Sequence, residues 1–84
     1  MKPRTMTKAQ RDRLATLKSA LSVAVDRVFE HGPHQQTPFR ECLANAPENV
    51  QWAYRQTVSA LFEYEARLEA DGRGWIENGR FRAY

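Results

Sequence analysis

From Leu14 through Leu17, Leu21, Ala24, Val25 and Val28 to Phe29, apolar residues recur at spacings of mostly three and four. That spacing follows the period of about 3.6 residues of an α-helix and excludes the alternation of a strand. A helix of about six turns must therefore bury one long face against another part of the chain or against a partner. Its ends are marked. Thr7-Lys8-Ala9-Gln10 fits a capping box, with Thr7 as N-cap and Gln10 at N3. His31-Gly32-Pro33 stops it with a residue suited to the last turn, a glycine able to take positive φ, and a proline.

The rest of the chain supplies the cover. After the loop GPHQQT, Thr37-Pro38 restarts a helix, with Phe39, Cys42, Leu43 and Ala46 on one face. Pro47 ends that short helix and begins a third, because the residue before a proline avoids helical geometry. From Pro47 to Ala70, a step of about 100° per residue places Val50, Tyr54, Thr57, Val58, Leu61, Tyr64 and Leu68 on one broad side. The expected core is Leu14, Leu17, Leu21, Val25, Val28, Phe39, Leu43, Val50, Tyr54, Leu61 and Leu68. "DGRG" breaks the third helix, and WIENGRFRAY reads as a β-hairpin around Asn78-Gly79. A two-residue turn pairs Glu77 with Arg80, Ile76 with Phe81 and Trp75 with Arg82. Ile76 and Phe81 then share the face that docks on the helices, while Trp75 and Arg82 share the outer face with Glu77 and Arg80, where charge pairing and cation–π contact are available. The expected fold class is mainly α: a long-short-long three-helix domain with a C-terminal β-hairpin. In this single domain, residues 1–6 are a frayed basic tail, 7–71 the helices and 73–84 the hairpin.

With 84 residues the chain is one domain at most. The single cysteine, Cys42, excludes an intramolecular disulfide and suits a reducing cytoplasm. No run is apolar enough for a signal peptide or a membrane span. The net charge of +3 is uneven. Lys2, Arg4, Lys8, Arg11 and Arg13 crowd the amino end, Glu63, Glu65, Glu69 and Asp71 cluster later, and Arg73, Arg80 and Arg82 close the chain. The basic end is able to touch nucleic acid or an acidic protein, although a solvated arm is the simpler reading.

No catalytic constellation is present in the pattern, and an enzyme is not expected. His31 and His34 flank one loop with no carboxylate or cysteine at ligand spacing, so neither metal nor cofactor is expected. The acids of the third helix are spread around its surface, with nothing marking a shielded one. Glycines stand singly at breaks, which excludes a phosphate-cradling loop.

What remains is contact. Trp52 falls nearly opposite the core stripe of the third helix, beside Arg55, with Phe62 at the border. Either the hairpin or the amino-terminal segment folds over Trp52, or it is an exposed anchor. The candidate partner-binding residues are Trp52, Arg55 and Phe62, with Trp75 and Arg82 on the hairpin. A winged-helix DNA-binding reading would use the short helix, the third helix and the hairpin as wing. The length and the acids of the third helix oppose it, so nucleic-acid binding is expected to be weak or absent. A phage- or plasmid-encoded regulator or inhibitor of a host system, for example an anti-defence protein, is a further alternative.

RDRLATLKSALSVAVDRVF, a loop, and then TPFRECLANAPENVQWAYRQTVSAL resemble the theta subunit of bacterial DNA polymerase III and its phage-encoded relatives. The parallels are Arg11-Asp12-Arg13-Leu14, Val23 and Ala24, the aromatic Phe29, Pro38, and Pro47-Glu48-Asn49-Val50 leading into Tyr54-Arg55. They cover roughly residues 8–62. The loop HGPHQQT and the hairpin depart from the family pattern. The resemblance implies a non-catalytic accessory subunit that binds and stabilises the proofreading exonuclease subunit of the polymerase core.

Overall fold

The chain is described here by a computed structural model, for residues 3–84. It holds α1 (Lys8–Phe29), α2 (Phe39–Asn45), α3 (Glu48–Ala70), β1 (Gly74–Glu77) and β2 (Arg80–Ala83). The order is long-short-long with a carboxyl-terminal antiparallel hairpin, as the periodicity predicts. Thr7 and Gln10 form the capping box in full, each side chain bonding the other's backbone N–H. Pro38 and Pro47 stand at the N-caps of α2 and α3, one residue before the first helical position. At the end of α3, Arg73 N–H bonds Leu68 C=O at 2.9 Å and Gly72 N–H bonds Glu69 C=O at 3.0 Å. These are the two bonds of a Schellman cap.

The long helices pack against one another with burial concentrated towards two ends. At one end Leu14, Leu17, Leu61 and Leu68 form a cluster, with Met6, Tyr64 and Phe81 packed against it. At the other, Val28, Cys42 and Ala46 are buried. There Phe39 of α2 bridges the long helices, its ring 5.3 Å from that of Phe29 and 5.1 Å from that of Tyr54. Of the expected core, Leu14, Leu17, Val28, Leu61 and Leu68 are buried, whereas Leu21, Val25, Phe39, Leu43, Val50 and Tyr54 are half-buried. The described chain measures 49 × 23 × 18 Å. A body this thin has too few layers to enclose both flanks of a helix pair.

Two local expectations are corrected. Gly32 does not take positive φ. A Cβ there would stand 2.7 Å from Cys42 Sγ and 3.0 Å from Thr37 Cβ, so the glycine serves close approach of the loop to α2. The amino-terminal segment, expected to fray, is held from residue 4 onward. Arg4 N–H bonds Gly72 C=O at 3.0 Å. Its guanidinium donates to the backbone oxygen and the carboxylate of Asp71, at 2.7 and 2.6 Å. Arg73 and Gln10 donate to the same carboxylate. Those hydrogen bonds, Arg73's first and then Gln10's, together with the Arg4 charge, hold the Asp71 carboxyl below its ordinary range. Met1 and Lys2 lie outside the described residues.

The hairpin has the predicted register: Glu77 pairs with Arg80, Ile76 with Phe81, Trp75 with Arg82 and Gly74 with Ala83. Asn78 and Gly79 have φ of 52° and 76°, the positive pair that a type I′ turn requires. Phe81 reaches the leucine cluster. Ile76 shares its face but stays 42% exposed, and its N–H is held by Glu69 Oε2 of α3 at 2.7 Å. One hairpin residue is therefore docked by apolar packing and the other by a charge-assisted hydrogen bond.

Candidate partner-binding surface

Trp52 is 63% exposed. Neither the hairpin nor the amino-terminal segment covers it, because both are anchored at the opposite end of α3, around Asp71 and the leucine cluster. Arg55, one turn further on, is exposed as well. Phe62 is 55% exposed but lies about 15 Å along the helix from Trp52. It lines a pocket with Glu65, Ile76 and Gly79 of the hairpin end. Trp75 lies on the outer face of the hairpin. Its ring packs on Tyr84 at 5.0 Å, and its indole N–H donates to Glu77 at 3.3 Å. Arg82 stands opposite Trp75 in the register and is exposed. Among the described residues no ion pair joins Glu77 to Arg80. The five candidates thus fall into three places: Trp52 with Arg55, Phe62 at the α3–hairpin junction, and Trp75 with Arg82 on the hairpin.

Two features escaped the sequence reading. The first is a groove of about 310 Å³ along α1 and α3, lined by Ala20, Val23, Ala24 and Arg27 on one side and Val50, Ala53 and Thr57 on the other. α2 fills the space beside Tyr54 through Phe39. The flank of Ala53 and Thr57 receives no such cover. Its alanines let the backbones approach a visitor closely. Val23, off the α1 stripe and 53% exposed, was the available signal. Asn49, one turn before Trp52, also lines the groove, which Trp52 itself does not line.

The second is Glu65, which is only 8% exposed and corrects the expectation that the α3 acids are all at the surface. Burial raises its carboxyl above the ordinary range, and the nearby Lys18 charge offsets part of that. Its position four residues after Leu61 and three before Leu68, both core leucines, was the signal.

Part of the basic amino end is engaged within the fold. Arg4 pairs with Asp71, Lys8 with Asp12, and Arg11 donates to Met6 C=O. No helix among the described residues is long and apolar enough to cross a membrane. The chain matches no protein-family model, no curated protein and no solved structure.

Proposed function

We propose that this chain is a small, non-catalytic accessory protein of the cytoplasm that binds a protein partner, with a helix of the partner laid in the α1–α3 groove against Trp52. The observation that carries the reading is the exposure of Trp52, one helical turn from Asn49 of that groove. An aromatic side chain buries about 150–250 Å². With 63% of Trp52 exposed, roughly 100–160 Å² is left to cover, worth about 2–4 kcal/mol at ~25 cal/mol per Å². Arg55 beside it adds a residue type enriched at binding hot spots. An amphipathic helix lying in an apolar groove is a recurrent mode of recognition.

The resemblance to the polymerase III theta subunit names the first partner to try, the proofreading exonuclease subunit. The test is co-expression with that subunit and, separately, capture from bacterial lysate with identification by mass spectrometry. Wild type and Trp52→Ala are compared in both. Wild type is expected to hold a partner that Trp52→Ala loses by at least ~2 kcal/mol, with the melting temperature of the free protein nearly unchanged. A large drop in melting temperature for Trp52→Ala, or equal capture by both proteins, would overturn the anchor role. Retention of some other host protein by wild type alone would support the regulator or inhibitor alternative over the polymerase subunit.

A further inference from the structure

The two edges of the hairpin are not equivalent. Glu77 and Arg80 flank the two-residue turn and form a hydrogen-bonded pair, and the pairs then alternate along the strands. Trp75 and Arg82 turn their backbone groups towards each other, whereas those of Ile76, Phe81, Gly74 and Ala83 point away from the hairpin. On the β1 side the Ile76 N–H meets Glu69 Oε2 at 2.7 Å, and β1 is the strand packed against α3. The β2 side has no such partner. Among the described residues no backbone group from outside the hairpin bonds Phe81 or Ala83. Each of these residues therefore turns an N–H and a C=O outward along an open edge.

The side chains along that edge carry one sign. Arg80 and Arg82 share the outer face, are exposed, and form no ion pair among the described residues. Glu77, the acid opposite Arg80, accepts the Trp75 indole N–H instead. A strand added antiparallel to β2 would bond through Phe81 and Ala83. Arg80 and Arg82 would then fall at the non-hydrogen-bonded positions, where facing side chains stand closest. Opposite charges stabilise such a pair and like charges oppose it. A second copy of the chain is thereby disfavoured. Pairing Phe81 with Phe81 sets Arg80 against Arg82, and pairing Phe81 with Ala83 sets Arg82 against itself. A phosphate backbone would neutralise the arginines but offers no donor to the Phe81 and Ala83 carbonyls.

We propose that the β2 edge takes an extended segment of a protein partner as a third, antiparallel strand, with acidic side chains two residues apart facing Arg80 and Arg82. Strand addition to an open edge is a recurrent mode of peptide recognition, in which the backbone bonds give affinity and alternate side chains give specificity. The contact is made by the hairpin and does not use Trp52 or the α1–α3 groove. It shares with that site only the reading that the chain binds protein.

The test is an NMR titration of the full chain with a short, end-capped peptide of alternating threonine and glutamate. One parallel arm replaces glutamate by lysine. A second carries N-methyl groups on the threonine amides, which removes the donors that would meet β2. The glutamate peptide is expected to move the Phe81 and Ala83 amide resonances saturably and to slow their exchange with solvent. The lysine and N-methylated peptides should each bind at least about fivefold more weakly. Arg80→Glu with Arg82→Glu should reverse the preference in favour of the lysine peptide. The peptide arms in the wild-type protein keep the proposal falsifiable if that variant does not fold. No saturable shifts, equal binding of the lysine or N-methylated peptide, or tighter binding of a single-stranded oligonucleotide at the same residues would each overturn it. All of these would leave a Trp52-dependent capture standing, and a lost capture would leave a positive titration standing.

Discussion

Phe81→Ala tests whether the hairpin is part of the folded body. The ring packs against the cluster of Leu14, Leu17, Leu61 and Leu68, and it also lies over Gly74, where a Cβ would be only 2.5 Å from Phe81 Cζ. Truncating a fully buried phenylalanine costs about 3–5 kcal/mol. Phe81 is half-buried, so roughly 2–3 kcal/mol is expected by scaling that range. In a domain of this size each 1 kcal/mol lowers the melting temperature by about 4–8 °C, which gives a drop of roughly 10–20 °C. Thermal and urea unfolding followed by far-ultraviolet circular dichroism measure it, and an unchanged urea m-value would show that only stability has moved. Ile76→Ala is the internal control. It removes an apolar side chain from the same face that is 42% exposed, so it should cost about 1 kcal/mol or less. A Phe81→Ala protein melting within about 4 °C of wild type would refute the docking argument, as would equal effects of the two substitutions.

The remaining predictions concern charge, the turn and nucleic acid. Burial raises the Glu65 carboxyl above its ordinary range, so the folded state holds that proton more tightly than the unfolded state. The resulting stability is fully present below the unfolded carboxyl range and is lost as the pH rises through the raised value. Glu65→Gln should therefore melt above wild type at neutral pH, with the gap closing in acid, and a gap that widens on acidification would contradict the sign. Asp71 acts oppositely, its lowered carboxyl stabilising the fold except in strong acid, and it is common to both proteins. Gly79→Val forces a β-branched residue to a φ of 76° and should cost about 1–3 kcal/mol of thermal stability, with no contribution from crowding. Duplex DNA should bind no better than the roughly 10⁻⁴–10⁻⁶ M of non-specific association in a salt titration, because Arg4 is already held by Asp71 and the exposed Glu63 and Glu69 of α3 repel phosphates.

Features that depend on neighbours along the chain were legible before the structure. The Thr7 capping box, the restarts at the two prolines and the hairpin register all follow from residues within a few positions of one another. The exposure of Trp52 was left open because it depends on what reaches the outer side of α3. The docking of the amino-terminal segment was missed because Arg4 and Asp71 are 67 residues apart and no local pattern links them. Gly32 was read as a turn residue from its place before a proline. Its real constraint is the Cys42 side chain of another helix. The Glu65 pocket joins α3 to the far side of a turn, a juxtaposition created only when Phe81 docks.

The Asp71 corner also has a consequence for chain topology. Arg73 donates to Thr5 C=O at 2.6 Å, and its own carbonyl accepts the Tyr84 N–H at 3.2 Å. Residues 5 and 84 are thus brought to one residue of one corner, and the described polypeptide is almost a closed ring. Its opposite extreme is the exposed loop of His34, Gln35 and Gln36. A circular permutant that joins the two ends by a few residues and opens at that loop would keep the paired elements. It would also turn the 67-residue closure between Arg4 and Asp71 into a short one, lowering the entropic cost of that closure by roughly 1 kcal/mol. The corner that closes the present chain last in sequence would then become a local contact, available early in folding.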